Sequence, residues 1–212
     1  MKINRPIILH VKIVSLLAAN FAPTYQAITE YLQNTTGIDL AFYNDVDWQL
    51  REKLLDAGEV HGAFMCGLLY ARKSAFLEPL AAPIMRGARY HDKPIYFSDV
   101  IVRADSRFHT FDDLRGATFA FNDPDSFSGL IIMREFLARK SYSKFFGRIV
   151  ESGGHLRSMQ LVVDGEADTA AIDSTILEAE MRARPELKHQ LRVVESLGPN
   201  PIPPIVIVKS AT

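Results

Sequence analysis

The sequence is short of cysteine: Cys66 stands alone in 212 residues, so no disulfide can form within the chain and none is needed as a partner. A chain of this length buries enough surface to do without such a staple. That usage suits a reducing compartment and the periplasm alike. Net charge is also nearly absent, since 24 Lys and Arg face 25 Asp and Glu, for a balance of −1. No overall field draws the chain to nucleic acid or to an anionic membrane. His, Asp and Glu are scattered, and no Cys/His spacing marks a zinc site, so neither a metal nor an organic cofactor is called for. Long apolar runs are missing too. The nearest, at 6–22, follows Met1-Lys-Ile-Asn-Arg5 in the manner of a signal peptide. His10 and Lys12 interrupt it, no small-residue cleavage site is clear, and no cysteine near the start could carry a lipid. The run is too short and too polar to span a bilayer. We read 7–17 as a first strand instead. Internal repeats and low-complexity segments are lacking as well.

What is present is an alternation of strand and helix signals. After the strand at 7–17, a helix is predicted over 23–33, with Pro23 suited to its first turn. A strand at 38–43, a helix at 47–57 with Leu50, Leu54 and Leu55 on one face, a strand at 60–65 and a short helix at 68–74 follow. Residues 79–85 read as another strand. Short connections of this kind predict parallel sheet covered on both faces. Residues 86–93 are polar and loop-like, and Arg86, Arg89 and His91 read there as solvated. A long strand at 95–102 comes next, on which Asp99 and Arg103 read as an ion pair or surface charges. Thr110 caps a short helix, with Asp113 at capping-box distance. Strands are then predicted at 117–121, 145–150, 168–172, 191–195 and 205–208, and helices at 130–139, 155–164 and 173–182. Residues 198–204, Gly-Pro-Asn-Pro-Ile-Pro-Pro, read as a stiff extended linker.

The most informative stretch is Phe119-Ala-Phe-Asn-Asp-Pro-Asp-Ser-Phe-Ser-Gly129. An apolar strand breaks at a dense turn signal and restarts as a helix. The first turn of a helix offers free N–H groups and the positive end of its dipole, which together suit an anion. Ser126 and Ser128 add hydroxyls, and Gly129 permits close approach to the backbone. The plainer role for Ser126 or Ser128 is helix capping. Two further helix starts follow strands in the same half of the chain. One is Glu151-Ser-Gly-Gly-His155, the other Asp173-Ser174. His155 donates in either tautomer, and an ionised Asp173 accepts only, which favours a ligand carrying an O–H or N–H donor. Their plain alternatives are packing for His155 and an N-cap for Asp173. Trp48 follows the second strand and Tyr96 lies on the long strand; each is a ligand wall or an ordinary half-buried aromatic. Cys66, in Phe64-Met-Cys-Gly67, reads as buried and inert.

Taken together, Tyr96-Phe-Ser-Asp-Val-Ile-Val-Arg-Ala-Asp-Ser106, Phe111-Asp-Asp-Leu-Arg-Gly116, the 119–129 stretch, Ser152-Gly-Gly-His155, Asp168-Thr-Ala-Ala-Ile-Asp-Ser174 and Pro201-Ile-Pro-Pro204 carry a resemblance over nearly the whole chain. The sequence resembles the phosphate/phosphite/phosphonate-binding proteins of ABC importers, a family of type 2 periplasmic binding proteins. The resemblance implies an α/β fold of two lobes, each a mixed, mostly parallel sheet flanked by helices, with a hinge between them. It sets lobe 1 at 1–96, lobe 2 at 97–203 and a return segment at 204–212, and the family extends further into a C-terminal helical part. It implies a ligand site of Trp48, Tyr96, Ser126, Phe127, Ser128, His155 and Asp173. Phe127 stands where the family commonly has Thr, so its backbone N–H remains and a hydroxyl is lost. Trp48 stands where the family has Tyr. Cys66-Gly67 replaces a usual Gly-Pro pair. Trp48 and Phe127 together suit a ligand with a flat or apolar portion better than bare phosphate.

The function so implied is non-enzymatic. The protein would capture a small oxyanion (a phosphonate, phosphite or phosphate-like compound) in a cleft between lobes and deliver it to an ABC permease in the membrane. The resemblance places it in the periplasm; a cytoplasmic location is the alternative. Two other classes stay open. One is an enzyme on the same fold, with His155 and Asp173 as acid and base on a small carboxylate or heterocycle. The other is a cytoplasmic ligand-sensing module.

Overall fold

The computed structural model describes residues 10–17 and 21–209. In chain order the elements are β1 (His10–Leu16), α1 (Ala22–Thr36), β2 (Asp39–Phe42), α2 (Trp48–Asp56), β3 (Gly62–Met65), α3 (Gly67–Lys73), β4 (Leu77–Ala81), β5 (Ile95–Arg103), β6 (Thr118–Phe121), α4 (Ile132–Arg139), β7 (Arg148–Glu151), α5 (His155–Val163), β8 (Thr169–Asp173), α6 (Ser174–Ala183), α7 (Leu187–Gln190), β9 (Leu191–Pro201) and β10 (Ile205–Val208). They fall into two units, Met1–Pro83 with Pro203–Thr212, and Ile84–Ile202. Positions 7–9 of the first predicted strand lie outside the described residues.

Unit 1 is a five-stranded sheet in the order β2-β1-β3-β10-β4. β1 runs parallel to β2 and β3, and β10 is antiparallel to β3 and β4. The sheet is therefore mixed, because its return strand enters from the opposite direction. Local signals explain the helix ends. α1 has a proline in its first turn and stops at Gly37, whose left-handed φ of 70° lets its N–H reach Gln33 O. Asp47 caps α2 by accepting the Leu50 N–H. The inward residues of α2 are Arg51 and Leu55, whereas Leu50, expected on the buried face, points outward. Val14, Leu55, Val60, Ala63, Met65, Leu77 and Val206 form the core.

Unit 2 is a second mixed sheet of five strands, β7-β6-β8-β5-β9. β6, β7 and β8 are parallel, and β5 is antiparallel to both β8 and β9. Its core is aromatic: Phe111 stacks on Phe145 at 4.9 Å between ring centres, and Phe119 on Phe146 at 4.6 Å. Phe145 and Phe146 thus fill the core before β7 begins at Arg148, which shortens the strand predicted from 145. The supposed linker is largely strand as well. β9 continues to Pro201, and an edge strand tolerates proline because only one of its sides must hydrogen-bond.

The polar segment 86–93 holds a short 3-10 turn, Ala88–Tyr90, and of its two arginines Arg89 is not simply solvated. Arg89 forms a two-bonded fork on Asp99, at 3.0 and 2.7 Å, and Ser196 Oγ donates to the same carboxylate at 2.7 Å. Asp99 is fully buried and is paired with Arg89, while Arg103 pairs with Asp105. A buried carboxylate needs such a partner. Tyr90 donates to Glu178 at 2.6 Å, so the turn is tied to α6 and β9 across β5.

Candidate functional site

The parallel strands of unit 2 end, at their carboxyl sides, in three helix starts. After β6, Asn122 to Asp125 turn the chain, with the Asp125 N–H on Asp123 Oδ1 at 2.7 Å. Ser126 then caps the next helix, its Oγ accepting the Gly129 N–H at 3.0 Å. The capping role is real, and it does not exhaust the loop. The first turn, Phe127–Ile131, is a wide π-helical one that passes into α4. Both Leu130 N–H and Ile131 N–H go to Ser126 O, at 3.2 and 3.1 Å. Phe127 and Ser128, at the first two positions, have no acceptor within the helix. Their N–H groups are the anion donors this loop can offer. Gly129 is there for a packing reason: a Cβ at that position would collide with the Asn122 side chain. The Phe127 ring packs against the core of unit 2, so Phe127 presents its backbone rather than its ring.

Ser128 is buried, and its Oγ lies 3.1 Å from His155 Nε2. Ser98 Oγ donates to Ser128 O at 2.6 Å and fixes the backbone there. His155 opens α5 after β7 and is buried; burial pulls its pKa down to about 4, so it is neutral at ordinary pH. Its Nδ1 is buried and has no partner. An orphaned acceptor is less costly than an orphaned N–H. That favours the tautomer with the proton on Nε2, donated to Ser128 Oγ. The Ser128 hydroxyl hydrogen is then left to donate outward. Asp173 ends β8 and caps α6, accepting the N–H and the hydroxyl of Thr175 at 2.8 and 2.7 Å. Burial raises its pKa to about 6, with a smaller push from the charge of Asp99. Above that pH it is a carboxylate with acceptor capacity only.

Tyr96 is buried on β5 in the core of unit 2. Ser98 is paired with Asp173, so Tyr96 lies two residues beyond the end of β8 and shares the strand face of Ser98. Ser126, Phe127, Ser128, His155, Asp173 and Tyr96 thus gather at one end of one sheet. Trp48 belongs to unit 1, at the start of α2, and is 46% exposed. Ser98 was missed as a support of the site; a lone serine inside the apolar run 95–102 was the available signal. Among the described residues no group of His, Cys, Asp and Glu could hold a metal ion.

A family model described as the periplasmic substrate-binding protein of phosphonate ABC transporters matches residues 15–212. The chain belongs to that family. Its members are substrate-binding transport proteins of the periplasm that work with an ABC importer. No curated protein matches the chain. Among solved structures, a binding protein component of an ABC phosphonate transporter from Pseudomonas aeruginosa is 18% identical, with a TM-score of 0.74 over 95% of this chain and 69% of that one. PhnD1 from Prochlorococcus marinus, solved with methylphosphonate, is 15% identical, with a TM-score of 0.71 over 93% and 76%. The VFT2 domain of BvgS from Bordetella pertussis is 19% identical, with a TM-score of 0.60 over 93% and 80%. These likenesses establish the type 2 periplasmic-binding-protein fold, two α/β units with mixed sheets flanked by helices.

Proposed function

We propose that this family member captures a small phosphonate, phosphite or phosphate-like anion at the three helix starts of unit 2 and hands it to an ABC permease, without chemical turnover. In this reading Ser126 and the N–H groups of Phe127 and Ser128 surround the anion. The Ser128 hydroxyl donates to it, oriented by His155. Asp173 accepts from a ligand O–H or amine. Tyr96 closes the site from β5. The observation that carries the reading is the buried Ser128–His155 hydrogen bond set between two unspent helix N–H groups and a carboxylate-capped helix. N–H and O–H donors at helix starts are what a small oxyanion requires. The family is one of substrate-binding transport proteins, which supports binding without turnover.

The test is a thermal-shift titration with methylphosphonate, aminoethylphosphonate, phosphite and phosphate. A ligand at a hundred times its dissociation constant stabilises the fold by roughly 2.7 kcal/mol. Ser126→Ala and His155→Gln should each abolish the shift while leaving the unliganded melt cooperative. Full stabilisation in both variants would place the anion elsewhere.

A further inference from the structure

Among the described residues of unit 1, no carboxylate hydrogen-bonds the buried cation Arg51. Arg51 is 8% exposed and sits with Leu55 on the inward face of α2. Among the described residues its hydrogen-bond partner is Asn44 Oδ1, reached through Nη1. Its Nε is buried with no partner. Asn44 Oδ1 also accepts the Ser15 N–H at 3.3 Å. An amide oxygen satisfies a donor but leaves the charge uncompensated. The acid that acts on Arg51 is Asp47, one turn earlier, and its Oδ1 is occupied by the Leu50 N–H at 2.7 Å. Burial accordingly pulls the guanidinium pKa below its ordinary value. A buried, unpaired guanidinium is costly, and a fold that keeps one usually meets it with an anion.

Its position supports the same conclusion independently. β1 and β2 are parallel, with Ile13 opposite Phe42. Ser15 and Asn44 each lie two residues further on, at the carboxyl ends of these strands, and α2 starts just beyond. That is the side on which parallel α/β sheets receive ligands. Trp48 precedes Arg51 by one turn on the same helix face and is partly exposed, so the face is open to solvent there.

We propose that Arg51, held by Asn44 and flanked by Trp48, forms an anion site within unit 1 that takes a small carboxylate or other oxyanion. Asn44 occupies Nη1 and sets the plane of the guanidinium. The Nε–H and the other terminal nitrogen then form the fork that matches two oxygens of one anion. None of the proposed ligand residues of unit 2 takes part in the hydrogen bonding, so the inference stands or falls apart from theirs.

Trp48 is the single tryptophan, so tryptophan emission reports on the start of α2 beside Arg51. The full chain, carrying Ser126→Ala and His155→Gln to silence unit 2, is titrated with acetate, methylphosphonate and, at matched ionic strength, chloride. A saturable change in Trp48 emission with acetate or methylphosphonate is expected, weakened roughly tenfold or more in Arg51→Gln. In the ¹⁵N-labelled chain the Arg51 Nε–H signal, assigned by its loss in Arg51→Lys, should move downfield over the same titration. Response to acetate alone assigns a carboxylate site, and response to methylphosphonate alone a phosphonate site. A Trp48 signal and an Nε–H signal that ignore both anions, or follow chloride equally, overturn the proposal and leave Arg51 as a clamp on Asn44.

Discussion

His155 and Asp173 are buried at the same end of the unit 2 sheet, and burial acts on them with opposite sign. The His155 pKa falls to about 4, so between there and its ordinary value near 6.5 the unfolded chain holds more protons than the folded one. Stability from His155 therefore rises with pH through that window. The Asp173 pKa is raised to about 6, so between 3.8 and 6 the folded chain holds more protons, and stability from Asp173 falls as pH rises. Each swing is on the order of 3 kcal/mol, and over pH 4 to 6 they largely offset one another. The wild-type melting temperature should thus depend only weakly on pH there as far as this pair is concerned. Asp173→Asn keeps a capping side chain and removes the falling contribution. Its melting temperature should climb more steeply with pH between 4 and 6 than that of wild type. Thermal unfolding followed by circular dichroism across that range checks this; a slope equal to wild type would mean that Asp173 is not the buried acid described.

At the scale of elements, the loop from β6 to α4 shows how a helix start becomes a site. The wide first turn depends on a residue without a side chain facing Asn122. Gly129→Ala should cost about 2 kcal/mol in urea unfolding, by overpacking. Asn122→Ala in the same chain should return most of that loss. A Gly129→Ala effect that persists in the double variant would point to the backbone rather than to Asn122. These helix starts were legible in the sequence because their signals are local: an apolar strand, turn residues, then a capping hydroxyl or carboxylate at two of them and a glycine pair at the third. Ser126, His155 and Asp173 all stand at the positions such signals indicate. What was not legible depends on register between distant segments. The Ser128–His155 bond, the Ser98–Ser128 bond and the Arg89–Asp99 pair each need strands aligned before they exist. The direction of Phe127 was hidden for the same reason, since its ring joins a core assembled from β5, β6 and α4. Leu50 gave way to Arg51 on the inward face of α2 because a leucine-only pattern does not reveal which way a short helix is rolled.

At the scale of the molecule, unit 2 is one continuous stretch, Ile84–Ile202, whereas unit 1 is interrupted by it. β10, which follows unit 2 in the sequence, lies between β3 and β4 in the sheet of unit 1. A chain ended after Ile202 should therefore keep slow hydrogen exchange at Val100, Ile101 and Ala171, while Val14, Ala63 and Leu77 exchange rapidly. Equal protection in both sets would show that β3 and β4 hold together without β10. The same discontinuity bears on how the protein is made. A chain growing from its amino terminus exposes β3 and β4 with bare edges for as long as it takes to synthesise Ile84–Ile202. Such edges pair with wrong partners when left open. The half begun first is thus the last able to close, and the half begun second is the first.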